Sequence, residues 1–140
     1  MSHLQRLKNW IAGIDGSTEI PMLIGDKPIT VTPVRTADNY VIGVNVDNLK
    51  NQPFLSIDVF VAVISLLNLS PNRMAEKGSA MNGTLGSDEL PVDSVEGHVA
   101  KVVYGVEVGG VVFRRITPIV NILIVAGVCE NDPGSLRLIG

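Results

Sequence analysis

The chain predicts an α+β fold: an N-terminal helix and a three-stranded antiparallel meander packed on a helical C-terminal half. Three observations carry that expectation. Apolar residues recur at helical spacing over 3–14 and again after Asp93. They alternate every second residue between Glu19 and Asp47. The turn Asn131-Asp132-Pro133-Gly134 then separates two short stretches, Val128-Cys129-Glu130 and Leu136-Arg137-Leu138-Ile139. At 140 residues the chain has the length of one domain, divided as helix 1–16, meander 17–50 and a helical region with a closing hairpin, 56–140.

Residues 3–14 place Leu4, Leu7, Ile11 and Ile14 on one stripe, with Ser2 as a cap and Gly13 and Gly16 as stops. Docking onto the chain's own core is the expected use of this stripe, and a partner-binding arm is the alternative. The meander comprises Glu19–Ile24, Ile29–Thr32 and Tyr40–Asp47, joined by turns at Gly25-Asp26-Lys27-Pro28 and Thr36-Ala37-Asp38-Asn39. So small a sheet must lie on a helix. Ile57–Leu69 supplies it, with Ser56 as cap, Asp58 in the first turn, and Ile57, Phe60, Val61, Ile64 and Leu67 on the deep face. Its β-branched residues keep a strand as the competing assignment.

Ser70-Pro71 opens a further short helix that Gly78 closes, and Gly78–Pro91 is a long loop. Asp93-Ser94-Val95-Glu96 reads as a capping box, in which Asp93 accepts from the helix and Glu96 reaches back. Val95, Val99, Val102 and Val103 form the inner face of that helix, and Gly105 ends it. Residues 106–116 read equally as a Gly109-Gly110 hairpin or as the turn before another helix. Thr117-Pro118 opens that helix and Ala126-Gly127 closes it, with a buried strand as the alternative for Ile119–Val125.

A capped helix over 94–104, a glycine-bearing turn, a helix ending at Ala126-Gly127 and a two-stranded wing closing on Leu136-Arg137-Leu138 together resemble a winged helix-turn-helix domain. The resemblance covers the C-terminal half, and reaches further if Ile57–Leu69 is the first helix of the unit. It implies contacts to nucleic acid from the second helix of the unit and from the wing. Carried onto this chain, the implied binding residues are Arg114 and Arg115 at the threshold of the recognition helix, Lys101 on the preceding helix and Arg137 in the wing. Many folds of this type bind proteins instead. The expected function is therefore a non-enzymatic binding module for a protein partner or nucleic acid. The alternatives are a structural subunit of a homo-oligomer and a small enzyme with a pocket under the Gly78–Pro91 loop.

Composition narrows these choices. Net charge is −3, and neither half has a basic excess: residues 1–70 carry five basic and six acidic side chains, and residues 71–140 carry six and eight. Nucleic-acid binding would thus need a local basic patch. A mean hydropathy of +0.33 favours either a dense core or self-association that covers apolar surface. The longest uncharged runs, Val59–Asn72 and Ile116–Cys129, are too short to span a bilayer. With one cysteine and no secretory pattern, a cytoplasmic setting is expected.

No catalytic residue, metal ligand or cofactor is assigned. Gly78 and Gly83 have P-loop spacing, but Thr84 stands where the lysine belongs. Ser94 and His98 share a helix face, and Asp88, Glu89, Asp93 and Glu96 lie near His98, so a hydroxyl nucleophile or a weak divalent site is conceivable. Solvated acids at a helix start explain the same residues. Glu130 beside Cys129 disfavours the thiolate.

Overall fold

The computed structural model describes residues 1–140 apart from Ile24 and Asp26. In chain order the elements are α1 (His3–Ala12), β1 (Thr18–Ile20), β2 (Ile29–Arg35), β3 (Val41–Val46), β4 (Phe54–Ser56), α2 (Ile57–Leu69), β5 (Met74–Glu76), α3 (Val95–Val102), α4 (Ile116–Val125), β6 (Cys129–Asp132) and β7 (Ser135–Leu138). They form two antiparallel sheets, ordered β1-β2-β3-β4 and β5-β7-β6. The fold class is α+β, as the sequence predicts.

The strands differ from expectation in ways with local causes. β1 stops at Ile20, because Pro21 has no N–H with which to continue the ladder. Ile24, the expected end of that strand, and Asp26 in the expected turn lie outside the described residues. The meander has a fourth strand, β4, which pairs with β3 at Asn45↔Phe54 and Gly43↔Ser56. Three residues are too few to show a period of two, so the sequence hides it. The helix expected after Ser70-Pro71 is a single 3-10 turn, Pro71–Arg73. Asn72 and Arg73 both take φ of 56°, which helical backbone cannot accommodate, and the chain turns into β5. β5 pairs with β7, so the expected two-stranded wing is a three-stranded sheet.

α2 lies at the centre, packed against α1, α3 and strands of both sheets. A helix apolar on nearly every side needs cover on nearly every side. Val59, Phe60, Val63 and Leu67 are fully buried, whereas Val61, expected on the deep face, is partly exposed. Each fully buried side chain of this size contributes roughly 1.5–3 kcal/mol from removal of apolar surface from water. α1 begins where Ser2 Oγ accepts the Gln5 N–H at 3.0 Å, and it buries Leu7 and Ile11 in the same core. Residues 116–125 are helical, with Pro118 in the first turn, where a missing N–H breaks no hydrogen bond. Among the described residues no helix is long and apolar enough to cross a membrane.

Candidate binding cleft at the start of α4

The start of α3 differs from a capping box in a way that shapes everything around it. Its N-cap is Ser94, not Asp93: Ser94 Oγ accepts the Gly97 N–H at 3.1 Å and donates to the Pro91 carbonyl at 2.6 Å. Gly97 permits this fold-back, since a Cβ there would lie 2.0 Å from the Pro91 oxygen. Glu96 is thereby released from its own helix. Its Oε1 accepts the Arg115 N–H at 2.9 Å, and the Ile116 N–H bonds to the same carboxyl group. Glu96 therefore caps α4, the neighbouring helix, and satisfies amides that its first turn leaves open. Only 1% of Glu96 is exposed. Burial pushes its carboxyl up to about 7, against the opposing pull of the two amides and of Arg115 and Arg114.

Arg115 is the other half of this junction and is only 6% exposed. Its Cζ sits 3.6 Å from the centroid of the Tyr104 ring and 4.7 Å from that of Phe113. Nη2 donates to Gln52 Oε1 at 2.5 Å and Nη1 to the Phe113 carbonyl at 3.4 Å, while Nε has no partner. Arg114, one residue earlier in a non-helical segment, is exposed, and its Nη1 lies 2.7 Å from Met81 Sδ.

The other two expected contact residues stand elsewhere. Lys101 is exposed in the last turn of α3, where its charge complements the helix dipole. Arg137 on β7 is paired with Glu130 on β6. The four basic side chains thus belong to three separate elements, and Arg115 is turned inward. α4 itself is buried at seven of its ten residues.

In front of α4 lies a cleft of about 560 Å³, a volume in the range of small-ligand sites. Met22 and Leu23 from the β1–β2 connection form one wall, and Asn48 and Leu49 from the β3–β4 connection form another. Ile116, Pro118 and Val120 provide an apolar floor. Asn121 ties floor to wall: its Oδ1 accepts the Leu23 N–H at 2.9 Å and its Nδ2 donates to the Thr117 carbonyl at 2.7 Å. Two cations line the cleft, Arg114 and Lys77, and among the described residues no carboxylate does. Lys77 Nζ donates to Asn131, and burial lowers the pKa of the amine. Glu96 already occupies the amides of Arg115 and Ile116 at the positive end of α4, so among the described residues the cleft's charge comes chiefly from these two side chains.

Of these residues the sequence singles out Arg114 and Asn121, the latter as the one polar residue within Ile119–Val125. Lys77, Asn48 and Gln52 carry no local signal. The Gly78–Pro91 loop is ordered by its own hydrogen bonds, Ser79 N–H to Glu89 O and Gly86 N–H to Leu90 O, both 2.9 Å. Leu85 and Leu90 fill the space beneath it with Ala100 and Val112. Ser94 Oγ is engaged in the helix cap, away from any nucleophilic role with His98. Among the described residues no group of three or more His, Cys, Asp and Glu side chains is placed to hold a metal ion, and Glu96 faces α4. Burial pushes the Cys129 thiol up to about 12, which leaves it inert.

Compared with protein-family models, with characterised proteins and with solved structures, the chain matches none. Its chemistry has to be read from its own residues.

Proposed function

We propose that this chain is a non-enzymatic binding module that seats part of a protein partner in the cleft before α4, with Arg114 at the rim. The observation that carries this reading is the cleft's make-up: an apolar floor, two cations, and among the described residues no His, Cys, Asp or Glu in its lining. Such a lining can hold and orient a ligand, and its one amine, Lys77, is engaged with Asn131 and has no second acid–base group beside it among the described lining residues. The succession of α3, α4 and the β6–β7 hairpin supports a winged-helix-like arrangement for this half. The burial of α4 favours the protein-binding use of that arrangement over the nucleic-acid one, because a helix covered by its own core has little surface to lay in a groove.

Selection of peptides from a displayed random library, followed by titration into 15N-labelled protein, tests the reading. Selected peptides are expected to shift the amides of Leu23, Asn48, Lys77, Thr117 and Asn121. Peptides that map to another face would overturn the assignment of this cleft. Retention of duplex DNA at low salt that Arg114→Ala and Lys101→Ala abolish would replace the protein reading with the nucleic-acid one.

A further inference from the structure

Resting on that reading, we infer that the segment recognised in the cleft is acidic and apolar together: a large aliphatic or aromatic side chain on the floor and a neighbouring carboxylate held by Lys77 and Arg114. Charge complementarity carries the inference. Two cations share one cleft, and no acidic side chain among the described lining residues neutralises them. The only ion pair among the described residues is Arg137–Glu130, so among those residues neither cation has a carboxylate partner. Lys77 donates to a neutral amide oxygen of Asn131 and retains further N–H groups to offer. Because burial disfavours its charged form, an incoming anion repairs an existing electrostatic deficit.

The apolar half of the recognition rests on different residues. Leu23 is 45% exposed on the cleft wall, and Met81, which touches Arg114, is 69% exposed. A free phosphate or a small carboxylic acid would meet the cations and leave both side chains in water. A chain segment covers them while it delivers its charge, which is the combination that favours a protein partner.

The same peptide selection decides the point, read now by sequence. Cleft-binding peptides are expected to be enriched in Asp or Glu within two residues of Leu, Ile, Phe or Trp. For one such peptide, replacing its acid by the amide is expected to weaken binding about tenfold, as loss of a charge-assisted hydrogen bond does. Lys77→Met and Arg114→Met, which keep the aliphatic stems, are expected to do the same. Binding should also raise the Lys77 pKa, followed through its side-chain 13Cε resonance. Neutral apolar peptides that bind the cleft equally well, unaffected by both variants, would overturn the acidic inference and leave the binding module standing. Inorganic phosphate that displaces the peptide at comparable affinity would overturn it in favour of a small-anion site. Selection that yields no cleft-directed peptide removes both this inference and the function on which it rests.

Discussion

Residues 18–56 and residues 94–121 are held together by different forces. In the first region every buried side chain among the described residues is apolar: Ile20, Ile29, Val31, Val44, Val46, Leu49 and Leu55. The second contains all four buried polar side chains of the described chain, Ser94, Glu96, Arg115 and Asn121. Volume governs the sheet, since dispersion and the hydrophobic effect have no preferred direction. The α3–α4 junction is governed by direction, because each buried polar atom must meet a partner at hydrogen-bond distance or incur its desolvation cost. That contrast accounts for the position of the cleft. An apolar core alone would leave the start of α4 free to slide, whereas Glu96, Arg115 and Asn121 fix it relative to three other segments.

The largest effect is expected on the volume side. Leu55→Ala removes a fully buried side chain between the sheet and α2. It should lower stability by about 2–5 kcal/mol in urea unfolding, by the same amount at pH 5 and pH 8. A loss that changes with pH would place the sheet under the junction's rules.

The junction should show the opposite character. The Glu96 carboxyl has an ordinary value of 4.5 and is raised to about 7 by burial. Below 4.5 it is protonated whether folded or unfolded, and its contribution is at its most favourable. Between 4.5 and 7 the unfolded chain ionises while the folded chain keeps the proton, so stability falls as pH rises, and it levels off above 7. The total fall is about 3 kcal/mol. His98, whose pKa burial lowers, acts in the reverse sense as pH falls below 6.5. Glu96→Gln removes the first slope and leaves the second. Because Gln matches the neutral acid, the unfolding free energies of the two proteins should lie close together near pH 4 and separate towards pH 8, where the glutamate protein is the less stable, and parallel curves would show that Glu96 does not titrate as its burial requires.

The same contrast explains what the sequence could and could not reveal. Period-two alternation carries the core of the meander, and helical spacing carries α1 and α2, because both reflect burial that repeats along the chain. β4 and β5 are too short to repeat anything. Glu96 is the instructive failure. Asp93 and Glu96 have capping-box spacing, yet Gly97 lets Ser94 take the cap, and the glutamate goes to a helix nineteen residues away in the chain. Arg114 and Arg115 look alike in sequence, and only the positions of Tyr104, Phe113 and Gln52 decide which one turns inward. Long-range polar pairing leaves no periodic trace, so the junction and the cleft it frames were only partly legible: Arg114 and Asn121 stood out, while Lys77, Asn48 and Gln52 did not.

The smallest effect should come from the one ion pair among the described residues, which lies outside both regions. Arg137 and Glu130 face each other directly across β6 and β7, and both side chains are roughly half exposed. Water screens such a pair, and ordering two long side chains offsets part of the attraction, so Arg137→Ala should cost less than about 1 kcal/mol. The cost should shrink further in 0.5 M salt, and a double-mutant cycle with Glu130→Ala should give a coupling of the same size. A coupling of several kcal/mol that resists salt would mean that the hairpin belongs with the directional junction. It would also mean that Arg137 has a structural duty, which bears on its use as a contact residue: a side chain needed by its own sheet is poorly placed to leave it for a partner.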